Sequence, residues 1–199
     1  MMKNHKLIVA LILLWLCNTS LFAQNRNNRL VRGGVHFGFE IPVNNKTFSP
    51  DFTIYKSLNF KVGGMVRIGY DFAGQVGFYY DINKLQVENT QTNANSAIEL
   101  GVLKIPFLFS YGYAFSKNNV LRFNIGLQYD ALVHMSKNKI DLNKKAFTIH
   151  NMSVLGGIGV DLKNISIDIS YEKAVKAMAS ANGSKRYADM ICIMLGVVF

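Results

Sequence analysis

"IELGVLKIPFLFSYGYAF" (98–115) is long and apolar enough to suggest a membrane-spanning helix, which needs roughly 20 residues. Its periodicity says otherwise. Ile105, Phe107, Phe109, Tyr111, Tyr113 and Phe115 share one parity, and Lys104, Pro106, Ser110, Gly112 and Ala114 share the other. Side chains alternate across a strand, so a period of two marks a β-strand with one greasy face. Pro106 and the glycines at 101 and 112 also disfavour a helix. The stretch is therefore predicted to be a strand, the fourth of eight.

The same alternation recurs on either side. In "VRGGVHFGFEIPV" (31–43), Val31, Val35, Phe37, Phe39, Ile41 and Val43 oppose Arg32, Gly34, His36, Gly38 and Glu40. Over 60–72, Phe60, Val62, Val66, Ile68 and Tyr70 oppose Lys61, Gly63, Met65, Arg67, Gly69 and Asp71. Over 75–83, Val76, Phe78, Tyr80 and Ile82 alternate with Gln75, Gly77, Tyr79 and Asp81, and a slip of parity before Leu85 and Val87 predicts a bulge. Further strands follow over 120–134, 152–163, 165–172 and 191–199.

The connections alternate in length. Long ones are expected near 44–58, 88–97, 135–149 and 173–187, and short ones near 72–75, 116–119 and 163–164. Outer-membrane barrels pair short periplasmic turns with long outer loops, and an even strand count puts every long loop on one side. A soluble barrel would turn its apolar face inward and cover its outside with charge. Here the polar face mixes charge with glycine, which suits a packed, narrow lumen. Aromatic residues gather toward strand ends (Phe60, Tyr70 to Phe72, Tyr111 to Phe115, Phe199), as in interfacial girdles. The predicted fold is all-β: an eight-stranded antiparallel up-and-down transmembrane β-barrel.

The start of the chain points to the same compartment. Lys3 and Lys6 precede an apolar run, "LIVALILLWL" (7–16), and "CNTSLFA" ends on Ala23. That pattern predicts a Sec-type signal peptide over 1–23 and a barrel domain over 24–199. Of 22 Lys and Arg, two fall in the signal, leaving 20 against 12 Asp and Glu, a formal +8. Cys192 is then the one remaining cysteine, so no intramolecular disulfide is expected.

"VLKIPFLFSYGYAF" (102–115), "LRFNIGLQYDALV" (121–133), "SVLGGIGVDL" (153–162) and the closing "MLGVVF" (194–199) resemble the PorT-like family of small outer-membrane β-barrel proteins. The resemblance covers essentially all of 24–199. It implies an outer-membrane barrel, and its name-giving members imply a part in protein secretion across that membrane. The terminal Phe199 after an alternating strand resembles the signal read by the barrel-assembly machinery.

Parity places Glu40, Lys61, Arg67, Asp71, Asp81, Lys104, Arg122, Asp130, Asp161, Asp168 and Glu172 on the inward face. Charges in so narrow a lumen are expected to pair, because an unpaired buried charge is costly. An eight-stranded interior is just wide enough to be filled by side chains, so a closed lumen is expected, with a gated ion path as the sharper alternative. "DALVHMS" (130–136) offers Asp130, His134 and Ser136, the residue types of a hydrolase. Asp130 and His134 lie roughly 13 Å apart along a strand, however, and proton relays need contact at about 3 Å. No enzyme, catalytic residue, cofactor or metal ligand set is expected, and His36 and His150 read as interior or loop histidines. Lys137, Lys139, Lys144, Lys145, Lys185 and Arg186 fall in the third and fourth long loops and are candidate contacts for anionic lipid, lipopolysaccharide above all. The expected partners are outer-membrane lipid, lipopolysaccharide, the assembly machinery and secretion-system subunits. Nucleic acid is not expected, since no matching fold signal accompanies the basic charge.

Overall fold

The computed structural model describes residues 30–43, 52–56, 58–89, 94–136, 149–175, 179–181, 184–186 and 189–199. The expected signal peptide lies outside them. The strands are β1 (Val31–Pro42), β2 (Phe52–Lys56), β3 (Asn59–Gly69), β4 (Phe72–Asn89), β5 (Ala94–Ser116), β6 (Asn119–Met135), β7 (His150–Leu162), β8 (Ile165–Ala174), β9 (Ala179–Ala181), β10 (Ser184–Arg186) and β11 (Met190–Val198). Eight of them close into an all-antiparallel barrel in the order β1-β3-β4-β5-β6-β7-β8-β11. β11 returns to pair with β1 from Pro42↔Met190 to Gly34↔Val198. Beyond that ladder, Gly33 and Phe199 exchange backbone hydrogen bonds of 3.1 and 2.9 Å. The Phe199 ring lies where a side chain at Gly33 would otherwise stand; an added Cβ would come within 2.9 Å of it.

The burial pattern inverts that of a soluble protein. Phe60, Phe72, Ile125 and Ile167 are exposed around the outside, while Glu40, Lys61, Asp81 and Arg122 are buried. Apolar side chains stay exposed on this scale only where lipid covers them, and a closed barrel leaves no unpaired strand edge inside the bilayer. Aromatic residues gather near both rims. Phe39 packs on Phe60 edge to face at 4.9 Å at one end, and Phe72 meets Tyr111 at 5.0 Å at the other.

The tight turns fall at Tyr70–Asp71, Lys117–Asn118 and Lys163–Asn164. Gly69 enters the first with φ 134°, and a Cβ there would lie 2.6 Å from Ala73 Cα. Lys163 takes φ 55° in the third, where glycine or asparagine is the usual occupant.

Three expectations need correction. The β4–β5 register runs unbroken to Asn89↔Ala94, so no bulge precedes Leu85. The slip in the sequence pattern reflects an interior that turns apolar there: Ile98, opposite Leu85, is buried, as is Leu100. Two register shifts lie instead in the β5–β6 ladder, one between Ala114 and Ser116 and one between Gly101 and Val102, whose partners are His134 and Leu132, so Val133 is the extra residue there. Second, the connection expected over 88–97 shrinks to 90–93, because β4 and β5 continue pairing, and β2 pairs along the same end of β4. Third, the stretch expected as the fourth loop contains the β9–β10 hairpin.

Candidate functional site: the charged lumen

Strand parity turns every second residue of the wall inward, and the inward charges gather in two layers. The first lies toward the long connections. Lys61 on β3 donates to Glu40 Oε1 at 2.9 Å and to Glu172 Oε1 at 2.8 Å. Lys104 on β5 donates to Glu40 Oε2 at 2.6 Å and Glu172 Oε2 at 2.9 Å, and lies 3.3 Å from Asp81. Two ammonium groups and two carboxylates thus form a closed four-membered ring linking β1, β3, β5 and β8. Gln128 extends it, donating to Glu172 at 3.0 Å and to Asp130 at 2.8 Å, and Ser153 donates to Asp130 at 3.1 Å.

The second layer lies toward the tight turns. Arg67 Nη1 is 3.1 Å from Asp161 Oδ2, and Arg122 Nη2 is 3.0 Å from Asp161 Oδ1. Arg122 also grips Asp168 through two bonds of 2.9 and 3.0 Å, and donates to Ser166 at 2.7 Å. The bidentate geometry is the strong form of a guanidinium–carboxylate pair. Glycine makes the room: a Cβ at Gly159 would collide with Asp168 Oδ1 and lie 2.7 Å from Arg122 Nη2.

Between the layers stands Tyr79, with Lys61 Nζ 5.2 Å from its ring centre. Beside it lies a cavity of about 30 Å³ lined by His36, Gln75, Tyr79, Leu108, Asn124 and Gln128. Such a volume suits one or two waters and no larger solute.

Asp71 is not part of the lumen. It sits exposed in the β3–β4 turn, where its carbonyl accepts a 2.7 Å bond from Gly112. β3 ends at Gly69, and the alternation ends with it. Arg32, Gln75, Gln128, Ser153 and Ser166 are buried interior groups outside the inward set named from the sequence, and His36 takes the interior one of its two expected places. Their signal was the same parity, since Arg32 and His36 share a face with Glu40.

Ligand atoms of Glu40, Glu172 and Cys192 lie within 4.8 Å of one another. Both carboxylates are already held by two lysines each, so ammonium groups stand where a cation would sit. Asp130, His134 and Ser136 do not converge. Asp130 points inward, His134 is exposed beyond the bulge, and Ser136 Oγ accepts a 2.9 Å bond from the Glu99 amide. On the outer wall, Tyr129 Oη and His150 Nδ1 are 2.6 Å apart. Lys137, Lys139, Lys144 and Lys145 lie outside the described residues; Lys185 and Arg186 belong to β10.

A closed barrel with a lipid-facing belt and a charged interior is the architecture of an outer-membrane protein. The sequence profile of the outer membrane protein beta-barrel domain matches residues 22–177. The chain belongs to this family. It is an outer-membrane protein. Among solved structures it is similar to the outer membrane protein OprG from Pseudomonas aeruginosa, at 9% identity and a TM-score of 0.54, covering 85% of this chain and 94% of that one. It is also similar to Ail, the attachment invasion locus protein of Yersinia pestis, at 10% identity and a TM-score of 0.43, covering 86% and 100%. At such identities the OprG likeness speaks to the fold alone. No curated protein matches the chain.

Proposed function

We propose that this outer-membrane barrel has a structural or interaction role in the cell envelope, with a lumen closed to solutes and no enzymatic activity. The observation that carries the reading is the ring of Lys61, Glu40, Lys104 and Glu172, which crosses the lumen with every bond at or below 2.9 Å. A hydrated ion would have to break several of these contacts to pass. Interaction then falls to the surfaces outside the barrel wall: the β4–β5 ribbon and the lysine-bearing connections, the latter suited to lipopolysaccharide phosphates. Single-channel recording in planar bilayers tests the closed lumen. Silence at moderate voltage is expected, and steady unit conductance would replace this reading with a small pore.

A second reading, an accessory role in protein secretion with secretion subunits as partners, rests on the PorT-like segments at 102–115 and 121–133. Mild-detergent pull-down of the tagged protein from its native envelope separates the two. Reproducible enrichment of large secretion-channel subunits favours the second. Recovery with lipopolysaccharide alone, or with the assembly machinery only during insertion, favours the first.

A further inference from the structure

Among the described buried side chains, the end of the lumen toward the tight turns holds more cations than carboxylates. Arg32, Arg67 and Arg122 meet there, at 7%, 3% and 2% exposure, against two carboxylates, Asp161 and Asp168. Both oxygens of Asp161 are engaged, one by Arg67 and one by Arg122, and both oxygens of Asp168 are engaged by Arg122. Arg32 stands directly opposite Arg67 in the β1–β3 register, an arrangement of like charges that is unfavourable by itself. Among the described residues no carboxylate bonds Arg32. Its Nε is buried without a partner, as are Arg67 Nη2 and Arg122 Nε. The other end of the lumen has the opposite imbalance, with Glu40, Asp81, Asp130 and Glu172 against Lys61 and Lys104.

A buried guanidinium without a counter-charge is costly, so this arrangement calls for an anion. The chain offers little to supply one. The sequence before β1, residues 1–30, contains no Asp or Glu. Asp71, in the nearby turn, is exposed. Lipid headgroups lie outside the wall, whereas Arg32 faces the interior. We infer that Arg32, Arg67 and Arg122 form a binding site for a small free oxyanion, of the phosphate or sulfate type, in the periplasmic mouth of the barrel. Guanidinium forks suit such a ligand, because two N–H groups meet two oxygens at once. The three arginines lie at the tight-turn end of the lumen, so an occupant enters and leaves by that mouth.

The test is urea unfolding of the barrel in non-ionic maltoside micelles, followed by the strand band in circular dichroism. Sodium sulfate is titrated from micromolar to low millimolar, with sodium chloride holding ionic strength constant. The wild type is expected to show a saturable stabilisation, the unfolding constant falling about a hundredfold at sulfate a hundred times its Kd. Sulfate also stabilises proteins generally, by exclusion from their surface, but that effect grows without saturating. Arg32→Gln is expected to lose the saturable part. Lys163→Asn, which removes a charge from an exposed turn at the same end, is expected to keep it. Absence of saturation in the wild type overturns the site, as does an equal loss in both variants. If Arg32→Gln does not refold, sulfate titration calorimetry on the wild type decides: measurable one-site heat supports the site, and none overturns it.

Discussion

Arg67 on β3 and Asp161 on β7 face each other from opposite walls of the barrel, four strands apart in either direction, with Nη1 and Oδ2 at 3.1 Å. One arginine and one aspartate thus span the full bore. This is the geometric reason that an eight-stranded cylinder, unlike a wider porin, can be sealed by its own side chains.

The ring in the other layer predicts a large effect from a single change. Lys104→Met removes the cation that touches Glu40, Glu172 and Asp81 and leaves three carboxylates around one remaining lysine. Breaking a buried pair from one side costs about 3–5 kcal/mol. The urea midpoint, read from heat-sensitive gel mobility, should fall accordingly. An unchanged midpoint would mean that the ring contributes nothing to stability.

Gly159 is expected to tolerate no side chain. Gly159→Ala forces a methyl into the Arg122–Asp168 pair, and overpacking of this kind costs about 1–3 kcal/mol. Combined with Asp168→Asn, the two losses should fall short of adding, because both act on one pair. Strict additivity in the double-mutant cycle would count against the mechanism.

Depth on the lipid face sets the cost of a charge. Ile125, 62% exposed near the middle of β6, is predicted to lose about 2–4 kcal/mol as Ile125→Lys. Leu162, at the turn end of β7, is predicted to lose about 0–1 kcal/mol as Leu162→Lys. Equal losses, measured in lipid vesicles, would argue that lipid does not cover this wall.

Cys192 offers a test of the proposed closed lumen. Its side chain is buried in the lumen beside the ring. A maleimide added to the folded chain from Gln24 onward should not react, and labelling should track unfolding in urea. Prompt labelling under native conditions would show that the interior opens.

Period-two alternation made most of the wall legible from sequence, because a strand with lipid on one side and packed charge on the other alternates without ambiguity. It placed Glu40, Lys61, Lys104 and Glu172 on one face. It could not show that these four residues meet, since pairing across a barrel depends on the stagger between strands, which no single strand encodes. Asp71 was misplaced because parity was carried one turn too far, past Gly69. Arg32 lay in plain sight beside Glu40, yet its importance depends on Arg67 opposite it and on carboxylates already taken. The supposed bulge before Leu85 failed for a different reason: an inward face is not always polar, and Ile98 and Leu100 show it turning apolar near the rim.

The seam between β1 and β11 has a consequence for how the chain reaches this state. Gly34 must find Val198, almost the whole length of the sequence away, before either edge is satisfied. Until then both edges present open rows of amides and carbonyls, the template on which other chains add. Loop-closure entropy opposes that last pairing and no local contact prepares it, so folding should be slow and late. A chain still emerging from the export machinery is sticky at both ends, and the wedge of Phe199 over Gly33 is among the last pieces that can lock.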